Sequence, residues 1–136
     1  MHEIALSKAQ ADIEANPQDK FAWFNAGSSL HALGRNNEAV QAFDTAFALN
    51  LPWRMMWYQF APYGAYFAEG RHERVIDLAN ATLRRVKNLE ESYYWRGRSQ
   101  AALGNMNAAR VDFQQALVFN PNFAPAQAEL NELAAS

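Results

Sequence analysis

The sequence has no cysteine among its 136 residues, which excludes disulfide bonds, thiolate metal sites and cysteine nucleophiles. The absence leaves the compartment open, because a chain without cysteine suits both oxidising and reducing environments. Charged residues are also few, at 19%, and the formal net charge is −2. A small negative charge argues against a dedicated nucleic-acid-binding protein. Half of the residues are hydrophobic, which is enough apolar surface for one globular domain.

A long apolar run is missing as well. A membrane-spanning helix needs about 20 mostly apolar residues. The most aromatic stretch, LPWRMMWYQFAPYGAYF at residues 51–67, is shorter and contains Arg54, Gln59 and two prolines, so we expect no membrane contact. The N-terminal residues carry acidic side chains where a signal peptide requires an uninterrupted apolar segment. The default expectation is therefore a soluble, cytoplasmic protein, while the sequence itself names no compartment.

Patterns that carry chemistry are absent too. His72-Glu73 is similar to the start of an HExxH zinc motif, but residue 76 is isoleucine, so the second histidine ligand is missing. The sequence has no glycine-rich phosphate-binding loop, and no acid and base groups are matched for catalysis. We therefore expect no enzyme activity, no catalytic residues, no metal and no cofactor.

What the sequence does contain is an internal repeat. Three segments align around Gly34, Gly70 and Gly104, which are 36 and 34 residues apart. Apolar residues recur on one helical face on both sides of each glycine, so each segment predicts a helix, a glycine turn and a second helix. Gly27 and Gly97 lie within first helices, where the lack of a side chain would let two helices approach closely.

The repeat resembles the tetratricopeptide repeat (TPR), in which units of 34 residues end in an alanine–aromatic–alanine helix and a proline. Residues 92–121, SYYWRGRSQAALGNMNAARVDFQQALVFNP, are close to a model unit. The resemblance implies an all-α fold, a right-handed α-solenoid of antiparallel helix pairs, in a single TPR domain spanning residues 1–136. Its predicted parts are a half repeat at 4–16, repeats at 20–52, 53–87 and 90–121, and a capping helix at 123–135. The half repeat suggests the C-terminal part of a longer protein; a naturally short array is the alternative.

The second repeat departs from the pattern. It has two extra residues, Tyr63 where a glycine or alanine is usual, and no closing proline. A proline inside a helix costs about 3 kcal/mol or kinks the helix, and Pro62 lies inside the predicted first helix. We expect one kinked helix that begins near Pro52. The alternative is a separate turn over residues 53–60, followed by a short helix that Pro62 starts.

Each first helix has a second stripe of residues, about 140° or more around the helix from its core stripe. In the proteins that this repeat resembles, that stripe lines a concave groove that holds peptides. The resemblance therefore implies a groove that binds a peptide or a partner domain. Its candidate residues are Phe24, Asn25, Ser28, His31, Trp57, Phe60, Phe67, Tyr94 and Arg98.

The aromatic side chains of this stripe, if half-exposed, would form an apolar patch of about 600 Å², at the upper end for monomers. A peptide, a neighbouring domain or a second copy of the chain should then cover them, so self-association is possible. The alternative is that neighbouring helices already bury some of these rings.

Two observations bear on the chemistry of the partner. The positions that form the carboxylate clamp of chaperone-binding TPR modules correspond here to Phe24, Ser28, Glu91 and Trp95, so an acidic chaperone tail is not expected. Residues 71–98 contain seven basic and four acidic side chains, a net charge of +3. This excess would favour a partner that bears carboxylates. The alternative is an ordinary solvated helix face with paired charges.

A weaker resemblance links residues 51–67, together with NLEESYYWRG at residues 88–97, to the TPR tails of bacterial multidomain proteins with C39-like peptidase domains. This second resemblance implies a structural or docking tail of a larger protein. The peptidase nucleophile would then lie elsewhere, because this chain has no cysteine.

Overall fold

The computed structural model describes residues 1–135 and is all-helical over that range. The α-helices are α1 (His2–Ala15), α2 (Lys20–Ala32), α3 (Asn36–Ala48), α4 (Ala61–Ala68), α5 (His72–Leu83), α6 (Glu90–Ala102), α7 (Met106–Phe119) and α8 (Ala124–Ala135). A 3₁₀ turn at Trp53–Trp57 precedes α4. None of the described helices is long and apolar enough to cross a membrane. Ser136, the last residue of the predicted single domain, lies outside the described residues, and that domain boundary stays a prediction.

The chain divides into two compact units, Met1–Gly70 and the residues from Arg71 onward. In the first unit, Asp19 starts α2 because its side chain accepts hydrogen bonds from the backbone N–H groups of residues 21 and 22, at 3.1 and 3.2 Å. Gly34 then turns the chain with a φ of +78°, a conformation that glycine adopts without a Cβ clash.

The core of the first unit is built around Phe43. This ring is fully buried and lies 5.4 Å from the ring of Phe24 and 6.4 Å from that of Tyr66, measured between centroids. A Cβ atom on Gly27 would lie 2.6 Å from the Phe43 ring. The prediction that Gly27 permits close helix packing is therefore confirmed.

The start of the second repeat differs from our expectation. One kinked helix from Pro52 is wrong: the 3₁₀ turn ends at Trp57, and α4 begins only at Ala61, with Pro62 in its first turn. The first N–H groups of a helix have no partner within the helix, so a proline there loses no hydrogen bond, whereas the same residue further inside would break one. The short helix that Pro62 starts is thus the arrangement that the structure adopts.

In the second unit, Gly97 and Phe113 repeat the packing of Gly27 and Phe43. A Cβ atom on Gly97 would lie 2.7 Å from the ring of Phe113, which is fully buried. Phe113 belongs to a core cluster with three alanines of α7 and α8, and Leu130 and Leu133 of α8 pack against this cluster. Helix α8 therefore covers the apolar side of α7 within this unit.

Candidate functional site

Four of the predicted site residues come from α2, and the structure does not expose all of them. Phe24 is only 2% exposed because its ring packs against Phe43 in the core. It is therefore not one of the exposed rings of the predicted aromatic patch. Asn25 is exposed and Ser28 is partly buried, so beside the buried Phe24 the predicted residues of α2 contribute polar atoms.

A pocket of about 260 Å³ brings three of these residues together in the first unit. It lies between α1 and α2 and also includes one residue from the turn before α4. Its lining consists of Ala5, Lys8, Ala9, Asp12, Phe24, Asn25, Ser28, Ser29 and Gln59. The two alanines and the buried ring make part of the wall apolar, and polar side chains form the remainder.

Two polar groups of this pocket have no protein partner. The Ser28 Oγ atom is buried and makes no hydrogen bond with any described residue. Leaving a hydroxyl buried and unsatisfied costs about 1–3 kcal/mol, so such an atom calls for an explanation. The neighbouring Asn25 side chain makes no hydrogen bond within residues 1–135 either. Both residues line the pocket: Asn25 is exposed, and the Ser28 Oγ atom, which is covered in this conformation, could reach a ligand after rotation about the Cα–Cβ bond.

The other predicted residues of the first unit lie outside this pocket. The Nδ1 atom of His31 is 2.6 Å from Oδ1 of Asn36, so the imidazole is held by the first turn of α3. Trp57 packs edge-on against Trp53, with ring centroids 4.9 Å apart, and its Nε1 atom is buried without a hydrogen-bond partner. Phe60 lies just before α4 and Phe67 in its last turn, and both are partly buried.

Tyr94 and Arg98 belong to the second unit and form a packed cluster there. Tyr94 lies edge-on to Phe123, with centroids 5.5 Å apart, and burial raises the pKa of its phenol. The Arg98 guanidinium lies over the rings of Tyr94 and Trp95, at 5.8 and 5.1 Å from their centroids. Arg98 also forms an ion pair with Glu129 of α8 at 3.7 Å.

The sequence places Arg98 among the candidate groove residues, and the structure pairs it with a carboxylate of its own unit. Nearby, burial raises the pKa of the Glu91 carboxyl group, and the indole N–H of Trp95 donates a hydrogen bond to Glu91 Oε2 at 3.2 Å. This cluster is therefore an internally satisfied surface, unlike the pocket that contains Ser28.

Sequence reasoning missed the contribution of α1 to the pocket. Lys8 and Asp12 of α1 line it, together with Gln59, whereas the predicted binding stripe lies only on the first helices of the repeats. The spacing of Ala5 and Ala9 on one side of α1 was the available signal. No group of three or more histidine, aspartate or glutamate side chains in the described part of the chain could hold a metal ion.

Residues 22–51 and 90–123 match the family model described as tetratricopeptide repeat. Two segments of the chain therefore match the TPR pattern. The two matches contain most or all of the helix pairs α2–α3 and α6–α7. The irregular second repeat lies outside both matches, as expected for a repeat whose first helix is split into a 3₁₀ turn and the short α4.

Solved structures share the fold of this chain. The crystal structure of MamA is 16% identical with a TM-score of 0.84, covering 97% of this chain and 76% of MamA. The first TPR of Spaghetti (RPAP3), bound to the HSP90 peptide SRMEEVD, is 19% identical with a TM-score of 0.74 over 87% of this chain and 92% of its own. The first TPR domain of human RPAP3 is 18% identical with a TM-score of 0.73, covering 88% and 93%.

At these identities the likeness shows the fold alone, and it confirms the predicted all-α solenoid class. No curated protein sequence matches this chain. The weaker resemblance to tails of C39-like peptidase proteins stays a prediction.

Proposed function

We propose that this TPR chain is a non-enzymatic protein–protein interaction module and that it binds an extended peptide in the pocket between α1 and α2. The observation that carries the proposal is the buried, unpartnered Oγ atom of Ser28 beside the free side-chain amide of Asn25. A similar fold, the first TPR of Spaghetti, is bound to a peptide. That likeness supports the general function, while the pocket supports the place.

The pocket suits a peptide in an extended conformation. Such a peptide presents unpaired N–H and C=O groups along its backbone, and an asparagine amide can donate to one and accept from the other. The Ser28 hydroxyl can also donate or accept. Ala5, Ala9 and Phe24 supply the apolar part of the lining, which can contact a small side chain. A volume of about 260 Å³ has room for one side chain with its adjoining backbone.

The remaining stripe residues of the first unit extend the proposed surface. Trp57, Phe60 and Phe67 are each partly buried, so they retain some apolar area for a partner. The Nε1 atom of Trp57 is a further buried donor without a partner. The proposed site does not depend on His31, Tyr94 or Arg98, because each already contacts a side chain of its own unit.

The experiment begins with selection of peptides from a phage-displayed random library on the full chain, followed by titration of a selected peptide by calorimetry. Ser28→Ala separates binding from folding. It removes a buried unsatisfied hydroxyl and adds a better helix former, so the free energy of unfolding should stay equal or rise by about 0.5–1 kcal/mol. The same change should weaken peptide binding about fivefold, because one hydrogen bond worth about 1 kcal/mol is lost.

Matched variants complete the test. Asn25→Ala should also weaken binding several-fold, whereas Asn37→Ala, an exposed asparagine of α3 in the same unit, should leave the affinity within twofold. Ser7→Ala on the exposed side of α1 is the control for Ser28→Ala. Unchanged affinity in both Ser28→Ala and Asn25→Ala would show that the peptide binds elsewhere and would refute the proposed pocket.

A further inference from the structure

A second pocket, of about 310 Å³, lies wholly within the second unit, between the end of α5 and the start of α6. Six residues line it: Asn80, Leu83, Arg84, Lys87, Tyr93 and Arg96. Three of the six are basic and none is acidic. The pocket therefore combines an excess of positive charge with the apolar surface of a leucine and a tyrosine.

The floor of this pocket is held rigidly. Arg96 donates two hydrogen bonds to the carboxylate of Asp112, at 2.9 and 2.7 Å, and a third to Oδ1 of Asn80 at 3.0 Å. Asp112 is almost fully buried, so this bidentate pair is well shielded from water. The guanidinium also lies 5.4 Å from the centroid of the Tyr93 ring. Asp112 balances the charge of Arg96, so Arg96 serves to position the pocket wall.

The uncompensated charge of the pocket belongs to Arg84 and Lys87. Both side chains are exposed. Lys87 donates a hydrogen bond to the Leu83 carbonyl at 3.3 Å, and the Tyr93 hydroxyl donates to the Lys87 carbonyl at 2.8 Å, which ties this segment to α6. Neither Arg84 nor Lys87 has a carboxylate partner among residues 1–135. Two cations thus border an apolar pocket with no anion beside them.

The size and charge of the pocket decide which partner fits. Its volume is at the lower limit for ligand pockets, about 300 Å³, which suits one or two side chains rather than a large ligand. A nucleic acid would need a wider basic surface, yet residues 71–98 carry a net charge of only +3 and the whole chain carries −2. An acidic side chain with an apolar neighbour meets both the cations and the apolar wall.

We propose that this pocket is a second docking site, which binds an acidic, leucine-containing peptide segment of a partner protein. A glutamate or aspartate of the peptide pairs with Arg84 and Lys87, and an adjacent apolar side chain lies on Leu83 and Tyr93. This site goes beyond the proposed peptide pocket of the first unit and shares no residue with it.

The test uses the full chain and a fluorescein-labelled peptide of alternating glutamate and leucine, with a glutamine–leucine peptide as its neutral counterpart. Fluorescence anisotropy should show saturable binding of the acidic peptide that weakens with added salt, because exposed ion pairs are screened. Arg84→Gln should weaken binding about threefold to fivefold, and Arg84→Gln with Lys87→Gln about tenfold. Amide chemical-shift changes should centre on residues 80–96.

Arg85→Gln is the matched control. It removes the same charge from the neighbouring residue, whose side chain is exposed but does not line the pocket. Its affinity should stay within twofold of the parent, and so should that of Asn25→Ala in the first unit. These two controls separate this site from the proposed peptide pocket, because failure of one leaves the other standing.

Four results would overturn the second docking site. They are equal losses in Arg84→Gln and Arg85→Gln, equal binding of the glutamine–leucine peptide, loss of binding in Asn25→Ala, and binding of a single-stranded oligonucleotide or inorganic phosphate at least as tight as that of the acidic peptide. Equal losses in the two arginine variants, or tight binding of the oligonucleotide or phosphate, would indicate general attraction of anions. Equal binding of the glutamine–leucine peptide would indicate apolar contact alone. Loss of binding in Asn25→Ala would place the peptide in the first unit.

Discussion

Replacing Gly97 by alanine tests whether the close approach of α6 and α7 is required by the fold. The new Cβ would lie 2.7 Å from Cε1 of Phe113, 2.9 Å from Cδ1 and 3.1 Å from Cζ. Carbon atoms in van der Waals contact are about 3.5–4.0 Å apart, so the ring would have to retreat by about 0.8 Å. Phe113 is fully buried, with Tyr94 packed against it at 6.1 Å between centroids, so the ring has no free space to enter.

The magnitude follows from two opposing effects. Overpacking a filled core costs about 1–3 kcal/mol. Alanine is the better helix former by about 1 kcal/mol, which offsets part of that cost. The 2.7 Å contact is severe, which favours an overpacking cost of about 2–3 kcal/mol, in the upper part of that range. We therefore expect Gly97→Ala to lower the free energy of unfolding by about 1–2 kcal/mol, which corresponds to a fall in melting temperature of about 3–10 °C for a chain of this size. Urea denaturation followed by circular dichroism at 222 nm measures the change.

A double-mutant cycle identifies the cause. Phe113→Leu removes the outer ring atoms and should by itself lower the free energy of unfolding by about 1–2 kcal/mol. In the Gly97→Ala background the same change should cost at least about 1 kcal/mol less, because it also removes the clash. Gly104→Ala is the control: its φ of +89° makes alanine strained there, but no side chain lies within 4 Å of the new Cβ. Phe113→Leu should not rescue it. Additivity of Gly97→Ala and Phe113→Leu within about 0.3 kcal/mol would refute the packing argument.

Two further predictions concern charged groups of the second unit. Asp112→Asn should lower the free energy of unfolding at pH 7, measured by urea titration, by about 2–3 kcal/mol, because it leaves the Arg96 guanidinium without its carboxylate. The control is Asp77→Asn at an exposed position of α5, which should change that free energy by less than about 0.5 kcal/mol. Burial raises the folded-state pKa of Glu91, so its ionised form opposes folding above that pKa, and the opposition disappears as the pH falls through it. Glu91→Gln should therefore be more stable than the parent at pH 7 and equally stable below pH 4. Urea titrations between pH 3 and 7 measure the difference in free energy of unfolding, and a difference that stays constant over this range would contradict a raised pKa for Glu91.

The helix pairs could be predicted because their signals are local. A glycine with a positive φ follows α2, α4 and α6, and in each case the sequence shows a glycine between two amphipathic segments. The contacts of Gly27 and Gly97 with aromatic rings follow from the same spacing, since both glycines lie seven residues before the glycine of the turn. The two segments that match the family model, residues 22–51 and 90–123, contain Gly34 and Gly104 respectively.

The irregular second repeat was less predictable because two local rules compete there. The aromatic run favours a buried helix, while Pro62 permits a helix only if it lies in the first turn. The structure satisfies both by ending the 3₁₀ turn at Trp57 and starting α4 at Ala61, so that Tyr63 and Tyr66 are fully buried and the Tyr66 hydroxyl donates to Asp44 at 2.6 Å. That hydrogen bond joins residues 22 positions apart, and no local pattern announces it.

By itself the sequence determined the all-helical class, the position of the glycine turns and the residues that allow close helix packing, because each of these depends on neighbours within one or two helical turns. The tertiary structure alone decided that Phe24 is buried, that Arg98 pairs with Glu129, and that Ser28 and Arg84 each border a pocket. These features depend on which side of one helix meets another element. A helical stripe has the same spacing whether it faces water, a ligand or a neighbouring helix, so its environment follows only from packing between segments distant in the chain.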